Sequence, residues 1–268
     1  MEIPYNQILY ITTFKELKEL LLKIPPRSLI VTDIDNVLVV HKDKILRSSS
    51  RLLYESLMQE LKEDFCKKTK LIKNNIKISF FEYLHGKLIQ RICLEPLDEN
   101  MIPFLKVLRK QGHSLLALSQ GKTGAYAEFN PIEDVRINQL KNLGFNFSES
   151  FKDIPPIKFK ALHEVRFPVF KEGVILTSKT SKAMALQAFF DVTQKSWQTL
   201  IYIDDNEDWV KEMYNYFKNY MFVIGICYKN QKYLQELPDV KLARKQFTFL
   251  RNHQLWLTDA EINKDIKI

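Results

Sequence analysis

The chain has 268 residues, 46% of them hydrophobic and 27% charged, with only 7 glycines and 10 prolines. That composition excludes a disordered or low-complexity protein and suits one large domain, or a core carrying an inserted subdomain. A formal net charge of +8 favours anionic partners such as phosphorylated metabolites, nucleic acid or an acidic membrane, although a solvated lysine-rich surface carries the same charge. Cys66, Cys93 and Cys227 are far apart and form no CxxC pair. Their spacing argues against a zinc site or disulfide framework and for a reducing, cytoplasmic compartment. The opening MEIPYNQILYITTF lacks the basic and long apolar regions of a signal peptide. No run approaches the roughly 18 apolar residues of a membrane span.

In chain order, Thr13-Phe14-Lys15-Glu16 has the form of a capping box. Phe14, Leu17, Leu21 and Ile24 then repeat at helical spacing until Pro25-Pro26 ends the element. Leu29-Ile30-Val31 reads as a first core strand, apolar on successive residues as in a parallel sheet. Between Val40 and Leu97 the character changes. Leu46–Lys68 and Ser79–Ile92 look helical, the basic stretch Lys67–Lys73 separates them, and no clean strand appears. Residues 41–96 are therefore expected to be a mainly helical insertion over the crevice, with 1–40 and 97–268 as the core domain.

The rhythm of strand and helix then returns. Asp98 is placed to cap a helix carrying Ile102, Leu105 and Leu108 and stopping at Gly112. A strand from Ser114 to Leu118 follows, then a helix start at Asn130-Pro131 with Glu133 and an end at Gly144. Gly173–Thr177 reads as the third strand, Ser181 to about Phe190 as a helix, and Leu200–Ile203 as the fourth strand. Asn206–Phe217 is a helix and Met221–Cys227 a fifth strand. The tail from Leu237 is polar, helical, and expected on the outside of the core. Alternation of this kind predicts an α/β fold, a Rossmann-like parallel sheet with helices on both faces.

Residues leaving the carboxyl ends of such strands line one crevice. Asp33 and Asp35 leave the first strand, and spacing by two puts both side chains on one side. One carboxylate can attack phosphorus, and the other can protonate the leaving oxygen and later activate water. A pair of turn residues would look the same. Asp204-Asp205 also leaves an apolar strand and, with Asp33, makes a hard oxygen site of the kind Mg²⁺ prefers. Asp208 is a third candidate, better read as a first-turn residue facing the helix dipole. Ser119, followed by Gln120 and Gly121, can hold phosphoryl oxygens through its hydroxyl and backbone N–H groups. Lys182 opens a helix, where a cation is disfavoured unless an anion is near; Lys179 competes for the same role.

Together Asp33-Ile34-Asp35-Asn36-Val37, Ser119, Lys182 and Asp204-Asp205, in that order and strand context, resemble the haloacid dehalogenase-like phosphohydrolase superfamily. The resemblance covers about residues 28 to 228. Arg136-Ile137-Asn138-Gln139-Leu140, YIDDNEDWV and Trp256-Leu257-Thr258-Asp259 further resemble a bacterial group within it. The resemblance implies Asp33 as nucleophile and Asp35 as acid/base. It implies Mg²⁺ held by Asp33, the Asp35 carbonyl and Asp204 or Asp205, with Ser119 and Lys182 on the phosphoryl oxygens. It also implies that 41–96 is a cap of the C1 type. Ala183 after Lys182 and Gln120 after Ser119 depart from the usual pattern.

The expected function is a Mg²⁺-dependent phosphatase or phosphotransferase acting on a phosphorylated small molecule or phosphoprotein. The alternative is an inactive relative whose basic surface grips an anion. A receiver domain is disfavoured because its acidic pair precedes its phosphorylated aspartate. Asp35 argues against halide removal, and no nucleic-acid-binding motif is present.

Overall fold

The computed structural model describes residues 6–65, 67–71, 77–124, 130–159, 167–230 and 236–264. Cys66, Ile72 and Lys73 lie outside the described residues. Numbered in chain order, the strands of the main sheet run β1 (Gln7–Ile11), β12 (Phe222–Tyr228), β11 (Thr199–Asp204), β2 (Leu29–Thr32), β7 (Ser114–Ser119), β10 (Val174–Leu176), β9 (Val169–Lys171) and β8 (Ile157–Lys158). Every pair from β1 to β10 is parallel. β9 and β8 extend the β10 edge antiparallel. Helices α1 (Phe14–Leu21), α4 (Met101–Lys110), α5 (Ile132–Asn142), α6 (Lys182–Thr193) and α7 (Glu207–Phe217) connect and flank the strands. The fold is thus α/β with a mostly parallel sheet.

The central strands are apolar throughout because both faces are covered: every residue of β2 and β11 is buried. Leu29, Val31, Leu116, Leu118, Tyr202 and Phe189 belong to one core cluster. The sheet has a topological switch at β2. From there the chain goes to β7 and β10 on one side, then returns to β11 and β12 on the other. The carboxyl ends of β2 and β11 therefore flank the reversal, where open α/β sheets form their crevice.

Two compact units divide the chain: Met1–Val39, Pro96–Gly124 and Arg136–Gln231 form the first, and Val40–Glu95, Ala125–Val135 and Lys232–Ile268 the second. Strands β3 (Val39–His41) and β6 (Leu94–Pro96), which pair in a two-stranded sheet, carry the chain out of the first unit and back. The second unit contains α2 (Arg51–Phe65), the antiparallel pair β4 (Thr69–Leu71) and β5 (Lys77–Ser79), α3 (Phe80–Arg91), α8 (Val240–His253) and α9 (Asp259–Ile262).

Several expectations need correction. The stretch between Val40 and Leu97 does hold strands, each of three residues, too short to show an alternating pattern. Strand β1 was not anticipated; it is an edge strand with one buried residue. The third core strand continues a hairpin whose two-residue turn, Glu172-Gly173, has φ of 51° and 76° at its two positions, as a primed turn requires. Asp98 does not cap α4: Asn100 occupies the cap, and Asp98 Oδ1 accepts from the Asn100 N–H and amide.

The tail also differs from expectation. Although the sequence from Leu237 is polar overall, α8 buries Ala243, Gln246, Phe247 and Leu250, spaced for one helical face. That face packs with Leu57, Leu61, Tyr83, Leu84, Leu88 and Trp256, so the tail completes the second unit instead of coating the first. Asp43 is the polar anchor. Its buried carboxylate accepts from Trp256 Nε1 and from the Asp259 N–H, both at 2.8 Å. Packing and anchoring thus explain Trp256-Leu257-Thr258-Asp259.

Replacing Asp43 with alanine strands the buried Trp256 indole N–H. The expected loss is about 1–3 kcal/mol, read by urea unfolding followed through tryptophan fluorescence. A change within error would show that the anchor contributes nothing.

Candidate functional site

The β2 ladder continues one residue past the strand, with the Asp33 N–H donating to the Ile203 carbonyl at 2.8 Å. Asp33 is thereby fixed level with the end of β11. Beyond it the chain turns tightly: Leu38 and Val39 N–H both donate to the Ile34 carbonyl, and Asn36 N–H donates to Val39 O. Asn36 sits at φ 62°, a conformation that asparagine tolerates better than branched residues. Strand β2 ends at Thr32, so Asp35 lies beyond it, in an isolated bridge with Val39 that closes the turn. The period-two expectation for Asp33 and Asp35 does not describe the backbone there.

Lys182 occupies the first position of α6, after Ser181, whose hydroxyl caps the helix by accepting from Met184 N. Its side chain is 2% exposed and its ammonium lies 2.9 Å from Asp33 Oδ1 and 2.7 Å from Asp204 Oδ2. Lys179, the competing lysine, is exposed. Asp204, fully buried at the end of β11, has both oxygens engaged. Oδ2 accepts from Lys182 and from the Tyr202 hydroxyl, and Oδ1 accepts from Asn206 N at 2.9 Å.

Asp205 completes the cluster. Asp33, Asp204 and Asp205 each bring a carboxylate oxygen within 4.8 Å of the others. Asn36 Nδ2 donates to Asp205 Oδ2 at 3.0 Å, so the turn after β2 orients the residue after β11. Asp208 lies outside the cluster, exposed in the first turn of α7, with its N–H on Asn206 Oδ1. Asp35 pairs with Arg136 of α5 at 3.2 Å. Ser119 ends β7 in register with Leu176 and is buried, followed by exposed Gln120 and half-buried Gly121. The register puts Ser119 at the carboxyl edge of the sheet, the same edge as Asp33.

Charge dictates the chemistry of this cluster. Three carboxylates around one ammonium sum to about −2 if all are ionised, in a site with little water to solvate them. Burial pushes the Asp33 carboxyl up to about 8; Lys182 opposes the rise, and Asp204 and Asp35 add to it. Burial, with Asp204, likewise raises Asp205 to about 6, against the pull of Asn36. Burial alone would lower the Lys182 amine, but Asp33 and Asp204 more than offset that and hold it above its ordinary value. Burial and the neighbouring Asp204 carboxylate drive the Tyr202 hydroxyl well above its usual range. The cluster is short of positive charge, and its donors are all hard oxygens of the kind that bind Mg²⁺.

Asn36, Arg136, Tyr202 and Trp209 enter the sequence reading only as members of motifs, without a site role. Tyr202 had a signal, since it is two residues before Asp204 on the same strand and so on the same face. Trp209 places its ring 5.9 Å from the Lys182 ammonium. Its position three residues into α7 gave no sign of that.

Comparison with known proteins places the chain in a family. Residues 10–263 match the family described as "Protein of unknown function (DUF2608)", and the chain belongs to it. It is similar to an uncharacterised protein of Rickettsia prowazekii (strain Madrid E), 22% identical over 95% of this chain and 89% of that one. It is also similar to an uncharacterised protein of Rickettsia bellii (strain RML369-C), 25% identical over 74% of this chain and 69% of the relative. No solved structure matches the chain at a significant level. Among the described residues, no helix is long and apolar enough to cross a membrane.

The two buried aspartates should differ in effect. Asp204→Ala leaves the buried ammonium short of its best-satisfied partner and is expected to cost about 3–5 kcal/mol in urea unfolding. A loss below about 1 kcal/mol would show that Asp33 alone suffices for Lys182. Asp33 and Asp205 hold their protons more tightly when folded than the ordinary carboxyl value of 3.8. Their contribution is fully present below that value and is lost as pH rises through about 6 and about 8. Lys182, raised from 10.5, contributes constantly across this window. In EDTA the melting temperature should therefore fall from pH 4 toward pH 8 relative to Asp33→Asn, whose profile should flatten above about pH 6. Parallel profiles would refute the raised Asp33 carboxyl.

Proposed function

We propose that this member of the family is a Mg²⁺-dependent phosphohydrolase of the haloacid dehalogenase-like kind, acting on a phosphomonoester through a phosphorylated Asp33. The observation that carries the proposal is the anionic cluster at the topological switch, Asp33, Asp204 and Asp205 around the buried Lys182 ammonium. The donor set fits a hard divalent cation: its oxygens converge, and its charge exceeds what Lys182 can offset. Asp33 and Asp205 are the better candidates to hold the ion, because both Asp204 oxygens already have partners. When bound, Mg²⁺ would supply neutralising charge to the anionic carboxylate and phosphoryl group.

The chain's own residues divide the work as follows. A carboxylate oxygen of Asp33 attacks phosphorus, the bond from phosphorus to the leaving oxygen breaks, and protonated Asp35 gives that oxygen its proton. Ionised Asp35 then takes a proton from a water that attacks the same phosphorus. The Asp33–phosphorus bond breaks, inorganic phosphate leaves, and both carboxyls return to their starting forms. Lys182 holds a phosphoryl oxygen as charge develops, already positioned by Asp204 and so without reorganising. Ser119, with the N–H groups of Gln120 and Gly121, is the proposed cradle for the remaining oxygens. Asn36 keeps Asp205 aimed into the cluster.

Phosphate release from 4-nitrophenyl phosphate should require Mg²⁺ and disappear with EDTA. Asp33→Asn should lose at least about a thousandfold, as removal of a covalent nucleophile does. Lys182→Ala should cost about 2–4 kcal/mol of transition-state stabilisation, seen mainly in kcat. Turnover that survives Asp33→Asn would remove the proposed nucleophile. Mg²⁺ binding without turnover on a broad panel of phosphomonoesters would favour an inactive, anion-gripping relative.

A further inference from the structure

Arg136 is not used by the chemistry above, yet it touches that chemistry. Its Nη1 donates to Asp35 Oδ1 at 3.2 Å, with the two side chains 18% and 32% exposed. Arginine carries five N–H donors in a planar fork suited to paired oxygens. Among the described residues, Asp35 is the fork's hydrogen-bond and ion-pair partner, and a single N–H is engaged. The fork is therefore half-buried, held in place by α5, and mostly unspent.

Its location restricts what it can meet. Lys182 and the acidic cluster serve the transferred phosphoryl group, whereas Asp35 must reach the oxygen that departs. A cation resting on Asp35 therefore flanks the leaving group. Asp35 also needs a carboxyl oxygen free to meet that departing oxygen, and the guanidinium occupies Oδ1. An anionic group on the leaving group, a short distance from the ester oxygen, would draw the fork onto itself as a bidentate pair and end the Arg136 contact with Asp35 Oδ1.

Resting on the phosphohydrolase reading, we propose that Arg136 is a specificity-determining residue selecting phosphomonoesters whose leaving group bears a second anion, a carboxylate or a phosphate. A neutral leaving group leaves the Arg136–Asp35 pair closed. A doubly anionic substrate opens it by exchange, one charge-assisted contact replacing another. The substrate class is accordingly phosphorylated hydroxy acids or bisphosphates, in preference to esters of neutral alcohols.

The test compares phenyl phosphate with 3-carboxyphenyl phosphate and benzene-1,3-diyl bisphosphate, in wild type, Arg136→Met and Arg136→Lys. In wild type, kcat/KM for at least one doubly anionic ester should exceed that for phenyl phosphate by about tenfold or more, and which one does so identifies the second anion. Arg136→Met should bring the ratio close to one, and Arg136→Lys should fall between, keeping the charge but losing the fork. An ion pair that is only structural would depress all three esters together and leave the ratio unchanged; that result overturns the proposal. Calorimetric binding of the three esters to Asp33→Asn, with and without Arg136→Met, decides the question without turnover. A tenfold binding preference that depends on Arg136 supports the proposal even if no ester is hydrolysed, in which case the phosphohydrolase reading alone falls. Equal binding of all three refutes it.

Discussion

A lysine ammonium buried between two aspartates is the constraint around which the first unit is organised. Lys182 is nearly excluded from solvent, and burying an ammonium costs several kcal/mol unless it is paired with good geometry. Asp204 and Asp33 provide that pairing at 2.7 and 2.9 Å. The pairing holds only if β11, β2 and the start of α6 keep their register. Fixing these three elements also fixes Asp205, and through Asn36 the turn that carries Asp35. Stability and candidate chemistry are therefore built from the same contacts.

Those contacts carry an imbalance. Asp204 is satisfied on both oxygens and behaves as an anchor, whereas Asp33 and Asp205 are held above ordinary carboxyl values by burial. A site that resists ionisation of its own carboxyls is strained in a particular direction, and added positive charge relieves it. Strain of this kind is commonly kept where a ligand removes it, at the expense of stability in the free protein. In the second unit burial also raises the Asp43 carboxyl, and two donors, one indole and one backbone N–H, oppose that rise, the pattern of a structural tether.

The signals legible in sequence were those that depend on near neighbours. Buried parallel strands require consecutive apolar residues, so β2, β7, β11 and β12 could be placed from Leu29-Ile30-Val31, Ser114–Leu118, Leu200–Ile203 and Met221–Cys227. Helix starts require particular side chains: Thr13 with Glu16 forms the expected capping box, and Ser181 and Asn206, read as helix starts, are the N-caps of α6 and α7. The three-residue strands β3, β4, β5 and β6 left no such trace, because a strand that short has no period to read, and β1 buries only one of its residues. The polar average of the tail concealed the apolar face of α8.

By itself, the sequence determined which residues end strands at the sheet's carboxyl edge, since apolar runs and the polar residues that follow them are local facts. Only the tertiary structure decided that Asp204 is saturated while Asp205 is not and that Arg136 rests on Asp35; it also buries Lys182, which its helix-start position favours over Lys179. These are distances between residues up to 169 positions apart, set by strand order and packing. A one-dimensional pattern carries no information about which of two adjacent carboxylates is saturated.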